Sequence, residues 1–293
     1  MKIFGTGLNG LVGSRIIELL KNHQFEISNI DITDRDAITR GIAQSDASIV
    51  LHLAAKTDVD GCEKDRAEDL QEEFRNSKTA WAINVLGTKN IADACFRANK
   101  KLIYISTDFV FDGKNVYEEG YKENDLANPV NWYGKTKYEG EKIVQSSGVS
   151  YVIARIAYPY RSDFKRNDFV RAILERLKLG QSVKGITDHI MTPTFVDDIA
   201  LGLDTLIKNN AAGIYHLTGS QFITPYDAAV SIAEAFNLDK SLITKITLEE
   251  YFKTRAPRPH NLSMNNKKIL ELGIKMKGFK EGLEEIKRQI MIQ

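Results

Sequence analysis

Short apolar runs alternate along the first 156 residues with longer segments whose apolar positions recur every three or four residues. That alternation predicts strands joined by crossover helices, an α/β fold on a parallel sheet. KIFGTG (2–7) reads as a first strand ending in glycines, and LVGSRIIELLKNH (11–23) as a helix with Val12, Ile16, Leu19 and Leu20 on one face. ASIVLHLAA (47–55) is nearly continuous in apolar residues, as expected of a strand covered on both faces. TAWAINVLGTKNIADACFRAN (79–99) predicts a helix and KLIYIST (101–107) the next buried strand. GEKIVQSS continues a helix opened near Tyr133, and SYVIARI (150–156) supplies a further strand. Beyond residue 156 the pattern loosens: RNDFVRAILERLKLGQ reads as a helix, GIYHLTG as a strand, and TPTFVDDIALGLDTLIKN as a loop entering a helix capped by Asp197 and Asp198. The change of character separates residues 1–155 from residues 156–293, with segments of the second part expected to cross back to the first.

One stretch departs from this rhythm. EKDRAEDLQEEFRNSK (63–78) holds ten charged residues in sixteen and reads as a solvated helix or loop. Composition is otherwise that of a soluble globular chain: 293 residues, 43% hydrophobic, 27% charged. The 40 Lys and Arg against 39 Asp and Glu leave no basic footprint for nucleic acid. No apolar run approaches the ~20 residues that span a bilayer, and no signal peptide is evident, so a cytoplasmic protein is expected. Cys62 and Cys95 read as free thiols. His52, His189, His216 and His260 lack metal-ligand spacing, so no metal is expected.

The first candidate chemistry is the glycine turn. Gly7, Gly10 and Gly13 stand between the first strand and the first helix. In that context glycines allow a tight turn and close backbone approach to a pyrophosphate, which the helix N-terminus then faces. An acidic residue about 20 positions on would bind the adenosine ribose. Asp31 lies there, although TDRDAI also reads as a helix start capped by Thr33 or Asp34. No arginine directly follows the second strand, and Arg35 belongs to that helix, which favours NAD over NADP.

The second is NWYGKTKYEGEK (131–142), where Tyr133 and Lys137 share a helical face. A free phenol titrates near pH ~10, and a nearby ammonium favours its ionised form. Ser106 and Thr107 put hydroxyls at the C-terminal end of a buried strand, where ligands bind in open α/β sheets. The YxxxK spacing alone is common on exposed helices; the glycine turn, the Ser-Thr strand end and the Tyr–Lys pair occurring in order are not. Tyr104, Tyr117, Tyr121 and Tyr138 are assigned to packing.

With GTGLNGLVG, LHLAAKT, NVLGTKNI, YISTDFVFDG and NPVNWYGKTKYEGE, nearly the whole chain resembles the extended short-chain dehydrogenase/reductase family. DITDRDAI, TPTFVDDIA and above all RAPRPHNLSMNNKKI (255–269) are similar to its branch that reduces 4-keto-6-deoxy sugar nucleotides. The resemblance implies a Rossmann-type doubly wound parallel sheet with a smaller C-terminal α/β lobe, residues 1–155 binding dinucleotide and 156–293 mainly substrate. It implies Tyr133 as proton donor to the ketone, Lys137 lowering its pKa and holding the nicotinamide ribose, and Thr107 bonding the reacting oxygen. Asn84 matches a helix asparagine that supports the lysine through water. Gly7, Gly10, Leu11, Val12 and Gly13 would meet the pyrophosphate, Asp31 and Ile32 the adenosine end, and Ala54, Ala55 and Lys56 would line NAD or NADP. Asp108 and Tyr158 match positions that touch the nucleotide sugar. Arg258, with Arg255 and His260, suits a diphosphate as well as it suits a turn closed by Pro257 and Pro259. A homodimer is implied.

Two departures from the family pattern qualify this. The 63–78 segment is longer than the usual connection by roughly ten residues, and RIAYPY replaces a tryptophan-bearing stretch. Two alternatives carry the same architecture: an epimerase or dehydratase with tightly held NAD, and a non-catalytic regulatory or binding subunit.

Overall fold

The computed structural model describes residues 1–71, 77–114 and 118–292. Within them the chain divides into two compact units. The first comprises residues 1–111, 126–155 and 206–215; the second comprises residues 112–125, 156–205 and 216–293.

The first unit is an α/β layer structure. Strands β1 (Lys2–Thr6), β2 (Gln24–Ser28), β3 (Ile49–His52), β4 (Lys101–Thr107), β5 (Tyr151–Ile156) and β9 (Gly213–His216) form a six-stranded sheet in the order β2-β1-β3-β4-β5-β9. β1 pairs in parallel with both β2 and β3, and β3 with β4. Strand order reverses at β1 and β3, the point where open sheets of this kind form a ligand crevice at their carboxyl ends. Helices α1 (Leu11–Leu19), α2 (Arg35–Gln44), α3 (Val59–Asp69), α4 (Thr88–Arg97) and α5 (Trp132–Ser146) make the connections. Phe4, Val50, Leu102, Tyr104 and Ile153 of the strands pack with Ile38 and Ile42 of α2, Ile91 and Cys95 of α4, and Val144 of α5. On α1, Val12, Ile16 and Leu20 are buried, but Leu19 is 36% exposed where the helix ends, off the face expected of it. The segment expected as one helix over 79–99 begins as a π-helix, Ala82–Gly87, before α4 takes over. Such a widened turn is frequent at functional sites.

The second unit holds α6 (Phe169–Lys178), α8 (Pro225–Ala235), α9 (Leu248–Phe252), α10 (Lys267–Leu270), α11 (Phe279–Ile292) and two two-stranded sheets. One sheet pairs β6 (Pro159–Tyr160) with β8 (Thr194–Phe195), and the other pairs β7 (Val183–Ile186) with β10 (Ile243–Ile246). Its core centres on Tyr160, Phe195 and Phe279, with the Tyr160 and Phe279 rings 5.3 Å apart. α7 (Val196–Lys208) opens in this unit. Asp197 and Asp198 stand inside its first turn, past the cap position, and their carboxylates reach other segments. Asp198 is buried and accepts from Lys277 Nζ and the Lys277 backbone N–H, each at 2.7 Å, while Asp197 accepts from Gln289 Nε2 at 2.8 Å. Burial explains this: a carboxylate that is 1% exposed needs a cation, and Lys277 provides it.

The charged stretch is also other than expected where it is described; residues 72–76 lie outside the described residues. Three acids of α3 and its neighbourhood turn inward. Glu63 accepts from the Trp132 backbone N–H at 2.7 Å, at the start of α5. Asp65 accepts from Lys56 Nζ at 2.6 Å and Ala80 N–H at 2.8 Å. Asp69, 1% exposed, takes Trp132 Nε1 at 2.7 Å and Trp81 N–H at 3.1 Å, and the two tryptophan rings stack 5.7 Å apart. Helix beginnings expose N–H groups that have no partner within the helix, and these acids supply the acceptors. Charge density in the sequence therefore marks a clamp on α5 as well as a wet surface. Asp69→Ala would take the acceptor from the buried Trp132 indole N–H and from the half-buried Trp81 N–H and is expected to cost about 2–4 kcal/mol. Asp69→Asn, which keeps an acceptor oxygen, should cost less than half of that in urea unfolding.

Candidate active site

At the end of β1, Gly7 has φ +71, and a Cβ there would lie 2.5 Å from the Ala54 backbone nitrogen. Only glycine suits both the left-handed conformation and that close approach. The turn passes Gly10, whose N–H bonds the Gly7 carbonyl at 3.1 Å, into α1. α1 has no side-chain cap and no acidic residue in its first turn. Gly7, Leu11, Ala54 and Ala55 are half-buried and Gly10 is exposed, whereas Val12 and Gly13 are buried. The cradle and the positive end of the helix dipole fit an anionic pyrophosphate.

Asp31 follows β2 and is exposed. Its Oδ1 accepts from both the N–H and the hydroxyl of Thr33, at 2.9 and 2.7 Å, and these bonds hold its carboxyl below the usual range. Asp34, not Thr33, caps α2, accepting from Ala37 N–H. Ile32 is 5% exposed and joins the core, and its carbonyl accepts from Asn90 Nδ2 at 3.0 Å. Lys56 N–H bonds Asn84 Oδ1 at 2.8 Å, and Asn84 Nδ2 returns a bond to the Lys56 carbonyl at 3.0 Å and another to Thr136 Oγ1 at 3.0 Å. Asn84 thus locks the loop after β3 onto α5 through Lys56 and Thr136.

Tyr133 and Lys137 enter on α5. Asn131 caps this helix through Gly134 N–H at 2.9 Å. A Cβ on Gly134 would lie 2.2 Å from the Phe109 carbonyl oxygen, so glycine there allows the first turn to press against the end of β4. The Tyr133 ring meets the Phe109 ring edge-on at 5.7 Å. Burial pushes the Tyr133 phenol up, hydrogen bonding with Thr107 pulls it down, and the charge of Asp108 raises it further. Lys137 is 3% exposed; its Nζ donates to the Ile105 carbonyl at 2.8 Å and lies 4.1 Å above the Tyr104 ring centroid. Burial drives its ammonium down to about 7, against the pull of Glu141 one turn further on. Glu141 is itself bound to Arg155 through two hydrogen bonds of 2.9 and 2.7 Å. His52, behind this row, is held neutral by burial, its pKa down to about 3, between Thr6 and Thr88.

At the end of β4, the Thr107 hydroxyl donates to Asp108 Oδ1 at 2.9 Å and accepts from Phe109 N–H at 3.3 Å. Burial lifts the Asp108 carboxyl to about 7. Asp108 Oδ2 and Ser106 Oγ are buried with no hydrogen-bond partner among the described residues. Thr107, Asp108, Tyr133 and Lys137 therefore meet at the carboxyl end of one strand, inside the first unit. Tyr138 and Lys142 repeat the YxxxK spacing on the same helix. There the exposed Lys142 lies 5.3 Å from the half-buried Tyr138 ring centroid and pairs with Glu139. Five residues turn a helix by ~140°, so one pair faces the sheet and the other does not. Tyr117 lies outside the described residues.

Tyr158 and Arg258 belong to the second unit. Tyr158 has φ +40, a strained conformation for a bulky residue and one that clusters at ligand sites. His189 Nδ1 faces the Pro259 carbonyl at 2.8 Å and must carry the ring hydrogen there, so Nε2 accepts from the Tyr158 hydroxyl at 2.8 Å. Burial lowers His189 to about 4, which keeps that tautomer neutral. Arg258 donates to the Ala256 carbonyl at 2.6 Å and stacks 4.6 Å over the Phe252 ring, while Arg255 is exposed. The signal that sequence reading missed is on α3: Glu63, Asp65 and Asp69 frame this site and looked like surface charge.

Comparison with known proteins places the site in a family. The model of the RmlD substrate binding domain matches residues 1–291. The dTDP-4-dehydrorhamnose reductase of Aggregatibacter actinomycetemcomitans is 30% identical over 301 residues, covering 96% of this chain and 97% of that protein. The crystal structure of the Bacillus anthracis dTDP-4-dehydrorhamnose reductase in complex with NADP is 29% identical with TM-score 0.87, covering 98% of this chain and 99% of that one. The methionine adenosyltransferase 2 subunit beta of Xenopus tropicalis is 29% identical over 300 residues, 96% of this chain and 85% of that protein. The chain belongs to the RmlD substrate-binding-domain family of extended short-chain dehydrogenase/reductase proteins.

Proposed function

We propose that this protein reduces the ketone of a 4-keto-6-deoxy sugar nucleotide, of the dTDP-4-dehydrorhamnose type, with NADH or NADPH. The observation that carries the reading is the convergence of Thr107, Tyr133 and Lys137 at the end of β4, in the same unit as the Gly7 cradle. The dinucleotide, when bound, supplies the hydride. Tyr133 holds the proton for the ketone oxygen, and its raised phenol keeps that proton in place until negative charge develops there. Lys137, where it carries its ammonium, stabilises the phenolate left behind when Tyr133 gives its proton to the ketone. Gly7, Gly10, Leu11 and Val12 take the pyrophosphate, and Asp31 the adenosine ribose. The NADP complex of the Bacillus anthracis relative supports the cofactor class.

A second reading, a binding subunit without turnover, is favoured by the likeness to the Xenopus tropicalis subunit. Against it stands the presence of Thr107, Tyr133 and Lys137 together.

Tyr133→Phe is expected to lower kcat by at least roughly a hundredfold, the scale of general acid catalysis, while NADPH binding, read by nucleotide fluorescence, stays within a fewfold. Turnover close to the parent's would remove Tyr133 from the reaction. Gly7→Ala should instead weaken both dinucleotides, since its Cβ collides with the Ala54 backbone. Asp31→Ala removes an ionised carboxylate that bonds a ribose 2′-hydroxyl and repels a 2′-phosphate. The ratio of NADPH to NADH affinity by titration calorimetry should rise about tenfold, equivalent to ~1.4 kcal/mol.

A further inference from the structure

A threonine hydroxyl has one hydrogen to give and two lone pairs with which to accept. At Thr107 the hydrogen goes to Asp108 Oδ1 at 2.9 Å, and Phe109 N–H takes one lone pair at 3.3 Å. In this arrangement Thr107 has no hydrogen left to give, and its remaining lone pair is engaged with the Tyr133 hydroxyl. A ketone oxygen carries no hydrogen and only accepts, so the two cannot bond. The role that reduction asks of Thr107 requires its hydrogen to be released from Asp108.

Asp108 is built to release it. Its side chain is 2% exposed, and its second oxygen has no partner among the described residues. What acts on the carboxyl is burial, opposed by the Thr107 hydroxyl and the N–H groups of Asp108 and Phe109. Tyr133 of α5 feels the charge of Asp108, and the other titratable groups at this strand end, Lys137 of α5, Tyr104 of β4 and Cys62 of α3, are engaged elsewhere. Tyr133 shares Thr107 with Asp108, and Lys137 gives its Nζ to the Ile105 carbonyl. Tyr104 lies beneath Lys137, and Cys62 packs beside Tyr133 and Trp132. An ionised carboxylate buried in this way without a cation is disfavoured, and the neutral acid is the form that burial selects.

We propose that Asp108 is a positioning residue that sets the direction of the Thr107 hydrogen bond. The neutral carboxyl gives its hydrogen to Thr107 Oγ1, and Thr107 then donates to the reacting oxygen; the carboxylate takes the Thr107 hydrogen back, and Thr107 becomes an acceptor. A ketone needs two donors at its oxygen, Tyr133 and Thr107, so reduction uses the neutral form. Asp108 thereby ties the rate of reduction to pH. This inference rests on the reductase reading above for its reacting oxygen, but the Asp108–Thr107 bond itself can be followed without any ligand.

Two measurements test it. In the ligand-free protein labelled with ¹³C at aspartate carboxyls, the Asp108 signal should titrate near pH 7, and higher in Thr107→Val, which lacks the hydroxyl donor. Titration in the ordinary range near ~4 overturns the proposal. In steady-state reduction with saturating NADPH and sugar nucleotide, the parent's kcat should fall above that pH, by roughly tenfold per unit. The sign follows from the active form being the protonated one, lost as pH rises through its pKa. In Asp108→Asn the side chain cannot ionise and its amide donates to Thr107 at every pH. The alkaline limb should then move up by more than about one unit, whatever the height of kcat. A limb unchanged in Asp108→Asn belongs to Lys137 instead and also overturns the proposal. If the carboxyl titrates as expected but the parent reduces no sugar nucleotide, the reductase reading fails and the hydrogen-bond switch stands.

Discussion

The bond from Lys137 Nζ to the Ile105 carbonyl fastens α5 to β4, and the rest of the site takes its position from it. One turn before Lys137 stands Tyr133, and two residues beyond Ile105 stands Thr107, so a single 2.8 Å contact sets phenol against hydroxyl. The approach is possible because Gly134 lies against the Phe109 carbonyl with no side chain between them. It holds because Glu63 and Asp69 grip the Trp132 backbone and indole from the other side. Beyond Lys137, Glu141 and Arg155 form a buried bidentate pair, with Arg155 over the Phe111 ring at 5.0 Å. Breaking such a pair leaves a buried charge without compensation, which makes α5 costly to shift.

Burial governs the electrostatics of this strand end more than any neighbouring charge does. It is the largest influence on Tyr133, Lys137, Asp108 and His52, and in every case it favours the uncharged form. The simple picture of an ammonium pulling a phenol toward ionisation therefore does not describe the ligand-free protein. Lys137 gives its hydrogen to a backbone carbonyl, and the phenol is raised. A phenol raised in this way keeps its proton at rest, which suits a site that must deliver it only when a substrate oxygen calls for it.

Much of this was legible along the chain. Short apolar runs placed β1, β3 and β4, and apolar positions every three or four residues placed α1, because each buries a continuous or one-sided apolar face. The Gly7 turn and the Tyr133–Lys137 spacing were legible because their geometry is local: a left-handed glycine and one helical turn need no distant partner. Asp197 and Asp198 misled for the opposite reason. Two acids before an apolar helix look like caps, and nothing nearby in sequence announces Lys277 or Gln289.

What the sequence determined by itself was the order of strands and helices and the chemical kinds available at their ends, since both follow from residues a few positions apart. The tertiary structure alone decided which YxxxK pair faces the sheet. It also decided which acids of the 63–71 stretch turn inward, that Asn84 bonds to Lys56 and Thr136, and that Asp108 lies buried on Thr107. Each of these depends on solvent being excluded by segments far apart in the chain, and exclusion of water is a property of the packed unit, not of any stretch of residues within it.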